Sequence, residues 1–531
     1  MLNNGGLLLE NAIIYTFGDP PGPVESLAIQ DGHILAIGDR EDLLQTIPSN
    51  FTKLDLGGRV ILPGLTDSHI HFEKFSLNHE QINCETNSVE ECLARIQSRA
   101  DTLQPGEWIR GHGWDQNLWG RYGTKEELDR VTAGNPAYIT AKSLHAAWAN
   151  TVALNQAGLS AKSVDPPKGN LQRGEDGNLT GILFEFAMLL ISDLVPRPSP
   201  SDLSQIMLRG QDELLRLGIT SIHDFDGKRC LQALQILRED SLQRLRVVKS
   251  IRFDDFESAI DAGLRTGFGD DWIRVGAVKL FSDGALGPHT AAMLKPYEDD
   301  NSNSGFLLLT AEEIAEIGKR AAVNGLALAI HAIGDRANRV VLDAFEELRT
   351  FEAKNRIKPL PHRIEHLQLI STEDTQRPAD LDIIVSMQPI HAVSDMQMAN
   401  HYWGDRVQQS YGWRSQIRAG SKLIFGSDAP VDTANPFIGI YAAVSRKPLG
   451  CAPEADSWVP DQRINLQEAL NAYSVWPAQS MGLGSKLGKL LPGYLADLIV
   501  LDEDPFLIDN SELPAIKPSG VMVNGKWHFL D

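Results

Sequence analysis

Between residues 202 and 427, segments with apolar residues at helical spacing alternate with short β-branched runs. The spacing predicts helices over 202–217, 256–266, 311–324 and 336–352. The β-branched runs predict strands at 219–224, 245–251, 275–281, 326–331, 363–369, 383–388 and 423–427. Strands that alternate with helices pair in parallel through right-handed crossovers, so this part of the chain belongs to the α/β class.

One further strand of the same kind is predicted before residue 202. The apolar run that begins at Val60 stops at Pro63-Gly64 and restarts in a short segment that contains His69 and His71. Counting from this segment gives about eight strands, which predicts a (β/α)₈ barrel over residues 61–484. An open doubly wound sheet is the alternative, although no G-x-G-x-x-G motif follows an early strand to favour it.

Both chain ends show only short strands separated by turn residues. The strongest hairpin signals are Asp31-Gly32 near the N-terminus and Asn524-Gly525 near the C-terminus. Such two-residue pairs favour the tight turns that join antiparallel strands. We therefore predict one small β-sandwich, assembled from residues 1–60 together with 485–531, beside the barrel.

Residues 73–205 break the alternation and predict a large insertion in the barrel domain. A helix is predicted over 88–102, aromatic-rich loops at 111–119 and 145–150, and an exposed hairpin or loop over 164–181, which is dense in Gly, Pro and Asp. We expect the insertion to cover the active site.

The net charge, the cysteine spacing and the distribution of apolar residues indicate which partners and which compartment to expect. The 531 residues include 49 Lys+Arg and 70 Asp+Glu, a net charge of −21 that would repel nucleic acid and anionic membrane surfaces. The four cysteines have no C-x-x-C spacing, so neither a disulfide framework nor a cysteine zinc site is expected. No basic N-terminal stretch or membrane-length apolar run is found, and we expect a cytoplasmic protein with a small-molecule substrate. Homo-oligomerisation is left open.

Side chains that can bind metals stand at the ends of separate predicted strands. Residues i and i+2 of a strand point to one face, so His69 and His71 would converge. Other strands end in Lys279, Asp283, His331, His366 and Asp428. Singly, each has an ordinary explanation, such as a core histidine, a snorkelling lysine or a helix N-cap. Because active groups of a barrel sit at the carboxyl ends of its strands, the set together indicates a metal site.

Seven motifs extend this pattern over nearly the whole chain. They are PGLTDSHIH at 63–71, GWD at 113–115, KLFSDGALG at 279–287, HAIGD at 331–335, EH at 365–366, GSDAP at 426–430 and GYLADL at 493–498. Together they resemble the amidohydrolase superfamily, and specifically its amidohydrolase 3 branch, which includes enzymes similar to N-substituted formamide deformylases.

The resemblance implies one or two divalent metal ions, usually zinc. His69, His71 and Asp428 would hold the more buried ion, and His331 and His366 the more exposed one.

Lys279 would bridge the ions after reaction with carbon dioxide, because an N-carboxylated lysine is an anionic oxygen ligand whereas an ammonium repels metals. The reaction needs the neutral amine, which burial favours. Glu185 is the rival bridging carboxylate, weighed against an ordinary solvated helix residue.

The implied chemistry is hydrolysis of a non-peptide carbon–nitrogen bond, as in a linear amide such as an N-substituted formamide. Metal coordination lowers the pKa of water, and Asp428 would act as general base and then general acid. Residues expected to contact substrate are Trp114, Asp115, His145, Asp283 and His391, with structural packing the alternative for Trp114. Two further alternatives stay open: a cyclic amide or amidine hydrolase or deaminase, and a non-catalytic metal- or ligand-binding protein.

Overall fold

The computed structural model describes residues 6–19, 22–78, 81–452 and 454–531. Its largest sheet contains eight strands that pair in parallel in chain order. These strands, β1 to β8, are Leu65–Ile70, Ile219–Asp224, Arg246–Arg252, Ile273–Phe281, Leu328–Ala332, Arg363–His366, Ile384–Met387 and Lys422–Phe425. The predicted (β/α)₈ barrel is confirmed.

The barrel closes through the segment that follows β8. The backbone N–H of Asp428 donates to the carbonyl of His69 at 2.7 Å, and the N–H of His71 donates to the carbonyl of Ala429 at 2.9 Å. These two hydrogen bonds bring the carboxyl end of β8 against the carboxyl end of β1.

Helices surround the barrel and bury their apolar faces against it. They are Phe72–Asn78, Pro200–Arg216, Lys228–Glu239, Phe256–Asp261, Ala311–Val323, Asp335–Lys354, Arg377–Asp380, Pro389–Ser394, Met396–Trp403, Trp413–Ala419, Pro436–Ser445, Leu466–Ala472 and Val475–Ser480. The helix predicted over 256–266 ends early because Gly263, with φ 70°, terminates it in a left-handed conformation. Among the described helices, none is long and apolar enough to cross a membrane.

Strands from both chain ends form two further sheets. The first contains His33–Gly38, Ser26–Gln30, Leu7–Glu10 and Thr52–Asp55 in spatial order. The second contains Lys526–Leu530, Gly520–Val523, Leu498–Leu501, Val60–Pro63, Ile13–Tyr15 and Pro23–Val24. Apolar side chains of both sheets share one core, and the predicted β-sandwich is confirmed. Both predicted hairpin turns are present, with positive φ at Asp31, Gly32, Asn524 and Gly525.

The insertion contains its own six-stranded sheet. In spatial order its strands are Gly169–Arg173, Leu179–Glu185, Ala146–Ala149, Ala137–Ala141, Ile109–Trp114 and Ile82–Asn83. Its helices are Val89–Ala100, Gln116–Trp119, Lys125–Val131, Thr151–Gln156 and Leu189–Ser192. The prediction of aromatic-rich loops is wrong at both segments, because Trp114 and Trp148 are fully buried and pack in the core of this sheet.

Candidate metal centre

A cavity of about 820 Å³ lies where the carboxyl ends of the barrel strands meet the insertion. We call it the barrel cavity. The barrel contributes His69, His71, Lys279, His331, His366 and Asp428 to its lining. The insertion contributes Arg110, His112, Thr140, His145 and Glu185. The six predicted metal ligands therefore converge on one space.

Asp428 stands at the centre of a cluster of imidazoles. Its Oδ1 lies 3.4 Å from Nε2 of His69 and 3.5 Å from Nε2 of His71. One ligand atom each of His69, His366 and Asp428 lie within 4.8 Å of one another. Oδ1 of Asp428 is buried and has no hydrogen-bond partner among the described residues. A buried carboxylate oxygen that faces imidazole nitrogens and lacks a donor fits a divalent cation, since carboxylate and imidazole are ligands that zinc accepts.

Two of these residues adopt an uncommon backbone conformation. Asp428 has φ 61° and His366 has φ 76°, values that side chains other than glycine rarely adopt. Such residues cluster at functional sites, where the surrounding structure enforces them.

Hydrogen bonds orient three of the histidines. Nδ1 of His69 lies 2.6 Å from Oε2 of Glu365, and Nδ1 of His71 lies 3.1 Å from Oδ1 of Asp226. Nδ1 of His366 lies 2.8 Å from the side-chain oxygen of Gln388. An oxygen acceptor at Nδ1 fixes the tautomer and leaves Nε2 available as a metal ligand.

Burial keeps the histidines of the cluster neutral, and a neighbouring charge keeps the carboxylate that contacts His69 ionised. Burial lowers the pKa of His69 to about 4 and holds the pKa of His366 well below its usual range, so both rings are neutral at physiological pH. Burial alone would raise the pKa of Glu365, but the charge of Arg363 holds it well below its usual range.

His331 reaches the cluster by a different hydrogen bond. Its ring centroid lies 4.5 Å from that of His366, and its Nε2 lies 2.8 Å from the carbonyl of Gly284. Because that carbonyl accepts a hydrogen bond from the Nε2–H group, Nδ1 is the nitrogen left for a ligand.

Lys279 extends from β4 into an apolar part of the site. Its Nζ lies 4.7 Å from the ring centroid of Phe225 and 5.0 Å from that of Phe281. Burial lowers the pKa of this amine to about 8. The neutral amine is therefore far more accessible here than on a solvated lysine.

His391 lies behind Asp428. Its Nε2 is 3.4 Å from Oδ2 of Asp428 and its Nδ1 is 3.0 Å from Oδ2 of Asp432. Burial lowers the pKa of His391, but hydrogen bonds to both carboxylates outweigh burial and raise it to about 10. An imidazolium between two carboxylates stabilises the ionised form of Asp428.

His145 and Glu185 form a pair on the insertion side of the cavity. Nδ1 of His145 lies 3.0 Å from Oε2 of Glu185, and the hydroxyl of Thr290 donates to Oε1 at 2.9 Å. The alternative of a solvated helix residue is wrong for Glu185, which ends strand Leu179–Glu185 and faces the cavity. Burial lowers the pKa of His145, but the charge of Glu185 more than compensates and raises it.

Asp283, Trp114 and Asp115 were also predicted to contact substrate, and each makes hydrogen bonds within the protein. Asp283 lines the cavity, but its oxygens accept backbone N–H groups of Ala292, Ile333 and Gly334 at 2.9–3.1 Å. Trp114 donates its indole N–H to the carbonyl of Ile139 inside the insertion core. Asp115 accepts the N–H of Asn117 as the N-cap of helix Gln116–Trp119. The structure does not bring Trp114 or Asp115 to the barrel cavity.

Several orienting residues were not anticipated from the sequence, namely Asp226, Arg363, Glu365, Gln388 and Asp432. One signal was available for two of them. Arg363 and Glu365 are spaced i, i+2 in a run otherwise typical of a buried strand, so both charges point to one face. Their side chains form a buried ion pair, with Nε of Arg363 2.7 Å from Oε1 of Glu365.

Comparison with known proteins agrees with this geometry. The chain is 30% identical over 93% of its length to Protein LONG AFTER FAR-RED 3 of Arabidopsis thaliana, of which 87% is covered. It is 27% identical to an N-substituted formamide deformylase of Arthrobacter pascens, with 98% of each chain covered. A solved structure of a metal-dependent hydrolase from Pyrococcus horikoshii OT3 matches with 29% identity and a TM-score of 0.78, covering 95% of this chain and 99% of the other.

A family model supplies the broadest match. The model of the amidohydrolase family covers residues 53–529, which include every motif on which the predicted resemblance rests. The predicted hydrolase of carbon–nitrogen bonds is confirmed at the level of the family. The chain therefore belongs to the amidohydrolase family.

Proposed function

We propose that this protein hydrolyses the carbon–nitrogen bond of a linear amide, such as an N-substituted formamide, with the help of divalent metal ions such as zinc. The observation that carries the proposal is Oδ1 of Asp428, a buried carboxylate oxygen without a hydrogen-bond donor that faces Nε2 of His69 and of His71. His331 and His366 extend the same cluster and complete the proposed set of imidazole ligands.

A bound divalent ion supplies Lewis acidity, which makes hydroxide available near neutral pH and polarises an amide carbonyl. Asp428 is the proposed proton carrier. It takes a proton from the attacking water and returns it to the leaving nitrogen, so its carboxylate must be ionised before attack. The contact of His391 with Oδ2 helps to keep this carboxylate ionised.

Lys279 is the proposed bridging ligand. Its neutral amine forms a bond to the carbon of carbon dioxide and loses a proton, which gives an anionic carbamate with two oxygens. Its lowered pKa, its phenyl neighbours and the absence of a hydrogen-bond partner among the described residues support this assignment. The carboxylate of Glu185 is already engaged by His145 and Thr290.

The class of substrate rests on likeness along the whole chain to a deformylase of N-substituted formamides. The barrel cavity, at about 820 Å³, is large enough for a small amide with a sizeable substituent.

The test is to incubate zinc-loaded protein with N-butylformamide and, in parallel, with a cyclic amide, and to quantify formate and free amine. We expect release from the linear amide and a decrease of about 10²–10⁴-fold in kcat for Asp428→Asn. Metal content is measured on both proteins, so that lost metal is distinguished from lost proton transfer. Absence of hydrolysis of linear amides by the metal-loaded wild type contradicts the proposal.

A further inference from the structure

We infer that the insertion positions the proposed proton carrier Asp428, because two of its side chains, His112 and Lys142, hold the turn that contains this residue. The turn, residues 428–432, lies between strand β8 and helix Pro436–Ser445 and contains neither helix nor strand. We call it the Asp428 turn. The inference rests on the proposed function and gives the insertion a role beyond covering the cavity.

Backbone hydrogen bonds attach the beginning of the Asp428 turn to the barrel. Two of them join residues 428–429 to the end of β1. A third, from the N–H of Val431 to the carbonyl of Asp428 at 2.9 Å, closes the turn on itself. The later residues Pro430 and Asp432 are contacted by the insertion.

His112, on strand Ile109–Trp114, contacts the turn through its imidazole. Its Nε2 lies 3.1 Å from the carbonyl oxygen of Pro430, and its Nδ1 lies 2.9 Å from the hydroxyl oxygen of Thr140. Burial lowers the pKa of His112 to about 4, so the ring is neutral at physiological pH. Because a carbonyl can only accept, Nε2 carries the hydrogen and donates to Pro430, while Nδ1 accepts from Thr140.

Lys142 contacts the end of the turn from the neighbouring strand of the insertion. It follows Ala137–Ala141, which pairs in parallel with Ile109–Trp114, and its backbone N–H donates to the carbonyl of Trp114 at 2.9 Å. Its Nζ lies 3.5 Å from Oδ1 of Asp432. The charge of Asp432 is the main cause that raises the pKa of Lys142, and it outweighs burial. The two side chains therefore form an ion pair between the insertion and the turn.

Asp432 connects Lys142 to Asp428 through His391. Oδ2 of Asp432 lies 3.0 Å from Nδ1 of His391, whose Nε2 lies 3.4 Å from Oδ2 of Asp428. The hydroxyl of Ser394 donates to Oδ1 of Asp432 at 3.2 Å, the oxygen that also faces Lys142. Both oxygens of Asp432 are thus held, which orients the imidazole of His391 against the carboxylate of Asp428.

His112 and Lys142 act on Asp428 through other residues and are positioning residues. Proton transfer requires the carboxylate within hydrogen-bond reach of the water and of the leaving nitrogen, and a displacement of about 1 Å can cost about 100-fold in rate. Loss of either contact should therefore lower kcat and leave amide binding largely intact. Loss of a contact that only docks the insertion would lower stability instead.

The first experiment measures the order of the Asp428 turn on the full-length protein as purified and needs no substrate. Hydrogen exchange of the peptide that contains residues 428–431 is followed by mass spectrometry. Lys142→Met and His112→Leu should each accelerate its exchange at least about 10-fold, the effect of one lost hydrogen bond, while helix Asp335–Lys354 exchanges as in wild type. Lys142→Arg and His112→Gln retain a donor and should restore slow exchange.

Lys125→Met is the matched control. Lys125 belongs to the insertion as well, where its Nζ donates to the carbonyl of Leu179 at 2.5 Å. Its substitution should leave exchange at the Asp428 turn unchanged. Exchange at the turn that stays slow in Lys142→Met or in His112→Leu overturns the inference. Equal acceleration in Lys125→Met overturns it too, since any disturbance of the insertion would then suffice.

The second experiment separates this inference from the proposed function. kcat and KM for N-butylformamide are compared at equal metal content. In Lys142→Met, kcat should fall by about 10–100-fold with little change in KM, and it should recover in Lys142→Arg. Hydrolysis by the wild type with kcat unchanged in Lys142→Met leaves the proposed function standing and rejects the positioning role. Fast exchange at the Asp428 turn in Lys142→Met, without hydrolysis by the wild type, supports the positioning role and rejects the proposed reaction.

Discussion

Nδ1 of His69 lies 2.6 Å from Oε2 of Glu365, a contact between β1 and β6 inside the barrel. Arg363 holds the same carboxylate through two nitrogens, at 2.7 and 3.0 Å. All three side chains are buried. The His69 ring is consequently fixed with Nε2 toward Asp428, so the position of this proposed metal ligand depends on the carboxylate of Glu365.

Replacing this carboxylate by its neutral isostere, Glu365→Gln, should weaken metal binding by about 10–100-fold. The amide is a poorer acceptor for His69 and leaves Arg363 without its counter-charge, so a lower melting temperature is expected too. Competition with a chelator at a temperature where the variant is folded measures the affinity. Glu373→Gln, at an exposed glutamate, is the control and should bind metal as wild type does.

For Lys279→Met, we expect lower metal content and a decrease in kcat/KM of roughly 100-fold, which corresponds to about 3 kcal/mol of lost transition-state stabilisation. Methionine keeps the apolar contacts with Phe225 and Phe281 but cannot form a carbamate. Elemental analysis and activity assays in buffers depleted of or supplied with bicarbonate provide the measurement. If depletion leaves wild-type activity unchanged, the bridging role of Lys279 is refuted.

The pKa of His391 makes stability depend on pH. It rises from an ordinary value of 6.5 to about 10 because the hydrogen bonds to Asp428 and Asp432 outweigh burial. A pKa raised by folding contributes stability that is complete below about pH 6.5 and is lost as pH rises through about 10. We expect Asp432→Asn to be less stable than wild type near pH 6.5, with a difference that shrinks toward pH 10. Urea unfolding across this window tests it, and a difference that grows with pH would contradict the assignment.

A buried ion pair joins the barrel to the β-sandwich. Arg246 in β3 contacts Asp497 through Nε at 2.5 Å and Nη2 at 2.8 Å, and both side chains are buried. Asp497→Asn should reduce the free energy of unfolding by about 3–5 kcal/mol, because an unpaired guanidinium remains buried. The exposed pair of Lys422 and Asp382 offers the comparison, and Asp382→Asn should cost about 1 kcal/mol or less. Similar effects of the two substitutions would refute a linking role for Asp497.

The barrel was predictable because its signal is local and repeated. Each strand is a short β-branched run followed by a helix, and each site residue such as His331 or His366 lies where such a run ends. Closure of a parallel barrel then brings separate strand ends together, whatever lies between them in the chain.

The orienting residues were less predictable because their contacts depend on the fold in three dimensions. Glu365 contacts His69 across a separation of 296 residues, and no spacing along the chain encodes that pair. For Trp114 the local pattern was misleading. The aromatic-rich motif predicted a loop, whereas Trp114 ends a strand of the insertion and its ring packs in the hydrophobic core there.

In the β-sandwich, strand Val60–Pro63 pairs with Leu498–Leu501, at the other end of the chain. During synthesis on the ribosome, the first of these strands emerges long before its neighbour exists. Until then its backbone groups on that side form an open, apolar edge that invites pairing with other chains. A strand made late in synthesis therefore completes a sheet that was begun early, and a truncation that removes Leu498–Leu501 would leave the edge of Val60–Pro63 permanently open.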